Sequence, residues 1–439
     1  MAFVKDLWTK TVRNPDGKPQ KVKTTRHGKG KRWLAVWVDP DGNERSTAYD
    51  RKADAERKIA TMGADIARGD YIDPNAGKVL FADLAERWLA SRIVDPSTKI
   101  RYEYIHRLHV APTYAKRQVK SIKPSQIQAW ISDLSSRFGT STVQTAFLVL
   151  QGILDLAVAD EAIKRSPAKS PIVQVPKRTT EEITAWSDER VHALIDAHPA
   201  LFRLLPMLGA ACGLRQGELF GLALEDIDFE ERLLRVRRQI KKLGADHVFA
   251  LPKNDRERVV PLPGWAAEAI KRHVSTYPPL ACSLPWERVD GQLRTHNLLF
   301  RWTDDCFIKA RSYSETIWKP ALVEAGVIPA PDKDTRQRSR YVTSRKEGLH
   351  QLRHYYASVM LAGGVSVKEL ADYLGHADPG FTLRVYAHLV PGSHERARKA
   401  IDDRLLNPGL PELSNTAYKD TEADRPRDPP SLHDPVRPG

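Results

Sequence analysis

The stretch at residues 164–178, KRSPAKSPIVQVPKR, constrains the fold of this chain more than any other feature of the sequence. It is rich in Pro and Lys and has no apolar periodicity, which is typical of an extended connection between folded units. The chain has 439 residues, and domains average roughly 150 residues. This connection therefore predicts several domains, with an interdomain linker over residues 171–185.

The first unit is predicted to be a small basic domain over residues 1–70. Between Lys5 and Arg32 the sequence has ten basic residues and two acidic ones. The segments RWLAVWV, at 32–38, and ERSTAY, at 44–49, have the composition of β-strands, and the PDGN between them is typical of a turn.

A helix after the second strand and a further strand near the N-terminus would complete this unit as a three-stranded sheet with one helix. The helix is predicted over residues 51–68 and the further strand within residues 4–12. A small basic sheet can bind in a groove of DNA, although a basic surface that binds nothing would have the same composition.

The second unit, residues 78–170, is predicted to be entirely helical. Apolar residues recur with helical spacing in four segments. These segments are 80–92, 97–109, 123–137 and 140–160. Basic residues on their polar faces suit a DNA backbone, but a solvated helical surface would look the same.

The third unit, residues 186–406, mixes helices with short hairpin strands, so we expect an α+β multidomain protein in which this unit is mainly helical with a small antiparallel sheet. Residues 329–346 are rich in charge and Pro and are expected to form an insertion or mobile loop that orders on DNA. The tail, residues 407–439, has few large apolar side chains and is expected to be disordered.

Composition narrows the compartment and the partner. The chain has no uninterrupted run of about 18 apolar residues and no apolar N-terminal stretch, so we expect a protein that is neither secreted nor membrane-spanning. Its three cysteines, Cys212, Cys282 and Cys306, are too scattered for a disulfide framework or a zinc cluster, which suits a reducing cytoplasm. The formal net charge of +14 favours a polyanionic partner, but charge alone does not distinguish DNA from RNA or a membrane surface.

Two basic residues in the third unit lie at predicted breaks in secondary structure, one at a helix end and one at a turn. Arg215 comes after an apolar helix that breaks at Gly213, and Lys253 falls at a turn between strand-like runs. Taken singly, both have ordinary explanations, since a basic residue is common at the end of a helix and a turn lysine is usually solvated.

A second group of candidates lies near the end of this unit. His350 and Arg353 are three residues apart, which places both on one face of a helix. His376 comes directly after the Leu-Gly that ends a predicted helix, and Tyr386 lies ten residues further on. In isolation, Tyr386 is more easily explained as a core aromatic than as a nucleophile.

In chain order, the combined set resembles the tyrosine recombinase family, the integrases of temperate phages and mobile elements. GLRQGEL, ALPKNDRERVVPLP, HQLRHYYAS and LGHADPGFTLRVYAHL are similar to the successive catalytic boxes of that family. The resemblance implies an arm-binding domain at 1–70, a core-binding domain at 78–170 and a catalytic domain at 186–406.

The resemblance also implies chemistry. Arg215 and Arg353 would bind the non-bridging oxygens of a phosphodiester, because a guanidinium can contact two oxygens at once. Tyr386 would attack the phosphorus, and His350 would take the phenol proton. The product would be a 3′-phosphotyrosyl bond, formed without a cofactor or a metal.

The remaining roles follow the same resemblance. Lys253 would protonate the leaving 5′-oxygen, although Lys241 and Lys242 on the neighbouring strand are alternatives. His376 would hydrogen-bond the phosphate. Glu218 would orient its neighbours rather than react.

The implied partners are double-stranded DNA attachment sites with core and arm sequences, three further copies of the chain in a tetramer, a host DNA-bending factor and an excision directionality factor. A helix within residues 391–406 would pack on a neighbouring protomer. The same chemistry would also serve a dimer resolvase or a type IB topoisomerase-like enzyme, and a catalytically inactive DNA-binding repressor is a different class of alternative.

Overall fold

The buried apolar side chains of this protein form separate clusters, each the core of its own set of elements. The computed structural model describes residues 2–15, 17–69, 71, 73, 76–178, 183–333, 335, 337–386 and 394–406. Within these residues the clusters lie at residues 35–71, 81–168 and 186–386. This architecture confirms the predicted α+β fold class.

The N-terminal unit is a three-stranded antiparallel sheet, in the order β1-β4-β5, covered by one helix. Its elements are β1 (Phe3–Asp6), β2 (Thr9–Arg13), β3 (Pro19–Lys23), β4 (Trp33–Val38), β5 (Glu44–Tyr49) and α1 (Lys52–Ala67). Ala35 and Trp37 are two residues apart on β4 and are therefore buried on the same face, in the cluster that includes Ala55 of the helix.

The predicted strand within residues 4–12 is divided in the structure. Only β1 joins the sheet, whereas β2 pairs with β3 in a separate two-stranded ribbon. The chain changes direction after Asp6, whose carboxylate accepts hydrogen bonds from the backbone N–H groups of Trp8, at 2.9 Å, and Thr9, at 3.3 Å. This local bond competes with continuation of the strand.

The second unit is helical, as predicted. Its helices are α2 (Phe81–Ala90), α3 (Pro96–Ile105), α4 (Ala111–Tyr114), α5 (Pro124–Arg137) and α6 (Thr140–Ala159), with a π-helical turn, His106–Val110, joining α3 to α4. Helix α6 is long and apolar enough to cross a membrane by length and composition alone. Its apolar side chains, including Val149 and Ile153, are buried in the core of this unit.

The Pro- and Lys-rich stretch after α6 is only partly extended, because Pro167–Lys169 form a 3-10 turn and residues 173–178 have no regular structure. The stretch packs along the helical unit. Ala168 is buried in the helical core, and Val173 and Val175 pack against it. The side-chain amide of Gln144 on α6 donates a hydrogen bond to the Pro176 carbonyl at 2.9 Å. The apolar side chains between the prolines therefore hold the stretch against the helical unit.

The third unit contains the remaining elements. Its strands are β6 (Ile227–Asp228), β7 (Leu233–Val236), β8 (Gln239–Leu243), β9 (Asp246–Ala250), β10 (Arg258–Pro261), β11 (Leu280–Pro285), β12 (Leu293–Leu298), β13 (Asp332–Lys333) and β14 (Ser339–Arg340). Its helices are α7 (Asp188–Asp196), α8 (Leu204–Cys212), α9 (Gln216–Phe220), α10 (Gly264–Thr276), α11 (Ala310–Tyr313), α12 (Lys319–Glu324), α13 (His350–Ala362), α14 (Val367–Leu374), α15 (Pro379–Tyr386) and α16 (His394–Leu406).

The ladders between the described strands of this unit are antiparallel, and an isolated bridge between Phe249 and Trp286 is parallel. One sheet has the order β10-β7-β6, and β8–β9, β11–β12 and β13–β14 form hairpins. Among the described residues of the predicted insertion at 329–346 are the short β13–β14 pair and the start of a 3-10 turn at Arg345–Glu347, and most of these residues are exposed. The predicted tail at 407–439 lies outside the described residues.

Two glycines let the helices of the third unit approach closely enough to assemble a site. A Cβ at Gly209 on α8 would lie 2.9 Å from the Leu352 side chain on α13. Gly213 ends α8 with φ +62°, and a Cβ there would lie 2.5 Å from the Tyr356 ring. A larger residue at either position would push α8 and α13 apart, and at Gly213 it would also be strained.

We predict that Gly152→Ala destabilises the helical unit. A Cβ at Gly152 on α6 would lie 2.5–2.7 Å from the indole of Trp88 on α2, and such overpacking costs about 1–3 kcal/mol. The measurement is the urea midpoint of unfolding, followed by far-ultraviolet circular dichroism. Gly139→Ala is the matched control, since nothing lies within 4 Å of a Cβ at Gly139, and equal midpoints for the two variants would contradict the packing argument.

Candidate active site

Arg215 is held at the junction between two helices. The left-handed residue Gly213 ends α8 and turns the chain, so that Arg215 becomes the N-cap residue of α9. Its Nη1 donates to Glu218 Oε1 at 2.9 Å, and its Nη2 donates to the carbonyl of Gly375 at 3.3 Å. Its side chain is 19% exposed, which leaves part of the guanidinium accessible to a ligand.

Glu218 is a buried carboxylate that two arginines share. Arg258 donates to both of its oxygens, at 2.9 Å from Nη1 and 2.6 Å from Nη2, and also donates from Nε to the Tyr373 carbonyl at 2.7 Å. Burial raises the pKa of Glu218, but the hydrogen bonds and charge of Arg258, together with Arg215, outweigh it and hold the pKa at about 2. The carboxylate is therefore ionised and fixes both guanidinium groups.

Arg353 is the most deeply placed basic residue of the site, with 1% of its surface exposed. It donates from Nη1 to the Gly213 carbonyl at 2.7 Å and from Nη2 to the Leu374 carbonyl. These carbonyls are at the C-terminal ends of α8 and α14, where the helix dipole favours a cation. Burial, and then the nearby Arg215, lower the pKa of Arg353 from its usual value.

His376 follows the end of α14, where Gly375 adopts φ +63°. Its Nε2 is 3.1 Å from Arg353 Nη2, and its Nδ1 is 2.7 Å from the hydroxyl of Thr382 on α15. Burial and the positive charges of Arg353 and Arg215 lower the pKa of His376 to about 4. The ring is neutral at neutral pH, so its Nε2 can accept the hydrogen bond from Arg353.

Tyr386, at the end of α15, is buried, with 2% exposure. Its hydroxyl lies 2.8 Å from Nδ1 of His354, the residue after Arg353 on α13. Burial raises the pKa of Tyr386 to about 12 despite the opposing charges of Arg353 and Arg215. Burial, with His350 and Arg353, lowers the pKa of His354 to about 3. A neutral phenol therefore meets a neutral imidazole.

His350 begins α13 and is exposed at its outer side. Its ring stands edge-on to that of His354, with 4.7 Å between the ring centroids. Protein atoms packed behind the ring, and then Arg353 and Arg215, lower its pKa. Among the described residues, no hydrogen bond joins His350 to Tyr386.

Lys253 lies outside this hydrogen-bonded cluster. It is exposed at the turn between β9 and β10, just before Asn254, with φ +71°, and Asp255, with φ +53°. Within the part of the chain that the structure describes, it makes no hydrogen bond or ion pair, yet its charge contributes to the lowered pKa of His376. Lys241, the sequence alternative, forms an ion pair with Asp95 instead.

Together these residues form a positive, hydrogen-bonded cluster beside a phenol hydroxyl, an arrangement suited to binding an anion. Arg215 and Arg353 are held by a buried carboxylate and by helix-terminal carbonyls, so little reorganisation is needed when a charged group binds. Tyr386 lies beside an imidazole that can accept its proton. Across the described ranges, no group of three or more His, Cys, Asp or Glu side chains is arranged to hold a metal ion.

Comparison with known families gives a consistent result. The Phage integrase family matches residues 179–392, and the N-terminal SAM-like domain of phage integrases matches residues 80–135. The chain belongs to the phage integrase family of tyrosine recombinases. It is therefore a site-specific DNA recombinase.

Individual relatives span most of this recombinase. The prophage phiRv2 integrase of Mycobacterium tuberculosis is 26% identical over 373 residues, which cover 82% of this chain and 90% of the relative. The Tn1549 transposon integrase, solved in complex with transposon right end DNA, has the same fold with a TM-score of 0.58, 18% identity and coverage of 75% and 100%. A lambda integrase tetramer bound to a Holliday junction has a TM-score of 0.52, 14% identity and coverage of 80% and 92%.

The structure brings most of the sequence candidates of the recombinase into one cluster. Arg353 bonds directly to His376, and Arg215 and Arg353 bond to the adjacent carbonyls of Gly375 and Leu374. Tyr386 joins them through His354 on α13. His350 lies at the edge of this cluster, and Lys253 lies apart on its turn. His388, which follows the tyrosine closely, lies outside the described residues.

Sequence reasoning missed two residues of this site. Arg258 sits in the same box as Lys253 and was not singled out, because a basic residue at a strand end is unremarkable without its buried partner. His354 directly follows Arg353 in the HQLRHYYAS box, and the sequence interpretation assigns it no role. Its spacing of four from His350 was the available signal, since it places both imidazoles on one helix face.

We predict that Glu218→Gln destabilises the recombinase by about 3 kcal/mol, because removing one partner of a buried ion pair leaves uncompensated charge. Arg215 and Arg258 would then face each other without a counter-ion. The readout is the free energy of unfolding of the catalytic unit from a urea titration. The control is Asp378→Asn, which breaks a 3.0 Å ion pair with Arg384 whose two side chains are exposed. A similar small effect for both variants would refute the role of Glu218.

The same group sets a pH dependence of stability. Because the pKa of Glu218 falls to about 2 in the folded protein, its contribution to stability is complete above the unfolded value, roughly 4.3. That contribution is lost as the pH falls through the folded value. The unfolding free energy of Glu218→Gln should therefore differ less from that of the wild type at pH 3 than at pH 6.

Proposed function

We propose that this recombinase cuts and rejoins DNA through a 3′-phosphotyrosyl intermediate at Tyr386, and that it integrates and excises a phage or prophage at attachment sites. The observation that carries this proposal is the hydroxyl of Tyr386, 2.8 Å from an imidazole, beside the buried and hydrogen-bonded Arg353. A nucleophile beside a base and a fixed anion-binding group is the arrangement that covalent phosphoryl transfer requires.

The arginines are proposed to bind the scissile phosphate. In the transition state, negative charge spreads over the non-bridging oxygens, and Arg215 and Arg353 can donate to them. His376 is proposed to donate from Nε2 to a phosphate oxygen when substrate binds. In that tautomer Nδ1 accepts a hydrogen bond from the Thr382 hydroxyl, and the bond from Arg353 to Nε2 is replaced by bonds to the phosphate.

The phenol proton must leave as Tyr386 attacks, because a phenol with a pKa of about 12 is almost entirely protonated at neutral pH. His350 and His354, one helical turn apart on α13, are the imidazoles at this place. His350 is the base that the family resemblance implies. Both rings have lowered pKa values, and both are therefore neutral and able to accept a proton.

Lys253 is proposed to protonate the leaving 5′-oxygen. Its turn is exposed, and its backbone is already in the left-handed region at the two following residues. An ammonium on a flexible stem can reach a bound phosphate from such a turn. The pairing of Lys241 with Asp95 supports this choice over the neighbouring strand.

The three units are proposed to share the DNA. Residues 1–70 would bind arm sites through the basic sheet and the β2–β3 ribbon, and residues 78–170 would bind the core site. Residues 171–185 would link the core-binding unit to residues 186–406, which would catalyse strand cleavage and rejoining. A basic N-terminal sheet favours integration over dimer resolution.

Four protomers are proposed to act on two DNA sites. The lambda integrase tetramer on a Holliday junction supports this assembly. Helix α16, at His394–Leu406, is proposed to pack on a neighbouring protomer, and its Ile401, Leu405 and Leu406 are exposed in the single chain. A host DNA-bending factor and an excision directionality factor would act with the tetramer on the bacterial nucleoid, in the cytoplasm.

The decisive test is a trapping assay on a duplex that carries the junction between the encoding element and its flanking chromosomal DNA. With EDTA present, wild type should form a covalent, protease-sensitive protein–DNA adduct, and Tyr386→Phe should form none because it lacks the nucleophilic oxygen. Denaturing electrophoresis measures the adduct. Equal amounts of adduct in both proteins would mean that a residue other than Tyr386 is the nucleophile. Specific DNA binding without any adduct would favour the interpretation of the protein as a catalytically inactive repressor.

The domain proposal has its own test. Removing residues 1–70 should abolish binding to the distal arm sequences while leaving adduct formation at the core site largely intact. Footprinting on a full attachment site and the trapping assay on a core duplex measure the two effects. Loss of both would mean that the division of labour is wrong.

A further inference from the structure

His354 lies within hydrogen-bonding distance of the hydroxyl of Tyr386, the proposed nucleophile. Among the described residues, its Nδ1, at 2.8 Å, is the hydrogen-bonding partner of the Tyr386 hydroxyl. The two rings are tilted, with centroids 5.6 Å apart, so the bond is made at the edge of the imidazole. Nδ1 of His354 therefore points at the hydroxyl oxygen of Tyr386 and not at the face of the Tyr386 ring.

Helix α13 explains why this residue lies here. Arg353 points into the core between α8 and α14, and the next residue is turned by about 100° around the helix, as 3.6 residues per turn require. That turn directs His354 toward α15, which ends at Tyr386. His350 lies one turn earlier on the same face, but nearer the solvent.

We propose that His354 is the general base of this recombinase: it holds the hydroxyl of Tyr386 and accepts its proton during attack on the scissile phosphate. This inference rests on the function proposed above. Nδ1 must be the acceptor, so the ring hydrogen is on Nε2 in the reactive tautomer.

The step balances as follows. The Tyr386 Oη–H bond breaks, its proton moves to His354 Nδ1, and the phenol oxygen forms a bond to phosphorus. The bond from phosphorus to the 5′-oxygen breaks, and that oxygen keeps the electron pair and takes a proton from the general acid. His354 becomes an imidazolium and returns its proton to Tyr386 when a 5′-hydroxyl reverses the attack.

The charges around His354 provide a reason for its activity to depend on DNA. Burial first, and then His350 and Arg353 on its own helix, oppose the imidazolium by lowering the pKa of His354. Without DNA the proton therefore stays on the phenol. A scissile phosphate would bring negative charge to these groups and raise the basicity of His354, so that proton transfer is coupled to substrate binding.

His354→Asn is the sharpest variant for a test, because the Asn amide oxygen can lie near the position of Nδ1 and accept the hydrogen bond, yet cannot take the proton. The substrate is the junction duplex, nicked at the point where the wild-type adduct maps. The single-turnover rate of adduct formation is measured from pH 6 to pH 9. Tyr355→Phe is the matched control, since the Tyr355 hydroxyl donates to Asp188 at 2.7 Å, away from the nucleophile.

The expected loss for His354→Asn is about 100-fold or more at neutral pH, the usual worth of a general base. Its rate should then rise tenfold per pH unit as hydroxide replaces the base, while the wild-type profile stays flatter. In His354→Ala, added imidazole should restore part of the rate, which gives a positive signal that misfolding cannot imitate. DNA binding and Tyr355→Phe should match the wild type.

The other outcomes separate the two proposals. A wild-type adduct that requires Tyr386, together with a His354→Asn rate and pH profile like those of the wild type, would overturn the role of His354 and leave the function standing. A slower variant with an unchanged pH profile and no imidazole rescue would mean a purely structural role and would also overturn it. Absence of any wild-type adduct would overturn both proposals.

Discussion

The candidate active site depends above all on one buried guanidinium. Arg353 bonds to the terminal carbonyls of α8 and α14 and to His376. It therefore fixes the ends of these two helices, next to Arg215 and His376, against α13. Burying a charge is expensive unless it is fully hydrogen-bonded, and helix C-termini supply the acceptors. The group that would bind substrate is therefore also the group that assembles the site.

A second buried charge completes this arrangement. The ionised Glu218, in the first turn of α9, accepts hydrogen bonds from Arg215 at the start of that helix and from Arg258 on the edge strand β10. The three arginines of this cluster, Arg215, Arg258 and Arg353, would repel each other. The Glu218 carboxylate between them lowers that repulsion. The net charge of the cluster remains positive, which suits a phosphodiester.

The contacts between units differ in kind from those inside them. Each unit has its own apolar core, whereas the helical unit meets its neighbours through ion pairs such as Asp95 with Lys241 and Lys164 with Asp65. In each of these pairs one side chain is exposed and the other is largely shielded from solvent, Asp65 in the first and Lys241 in the second. The helical unit is therefore joined to its neighbours partly by charged contacts, while each apolar core stays separate.

The order of boxes along the chain was enough to predict the family, the α+β class and the helices of the second unit, because hydrophobic periodicity and motif spacing are local properties. Gly213 before Arg215, and the Leu-Gly before His376, also marked helix ends correctly from sequence alone. What the sequence by itself determined was thus the set of elements and the residue types available for chemistry.

Only the tertiary structure decided which of these residues touch. Arg258 is separated from Glu218 by forty residues and His354 from Tyr386 by thirty-two, and nothing in the spacing of those boxes indicates either contact. The choice of His354 over His350 as the partner of the phenol depends on how α13 is rotated against α15. That rotation is set by packing of α13 on α8 at Gly209 and by the buried bonds of Arg353, which are long-range interactions that a local pattern does not encode.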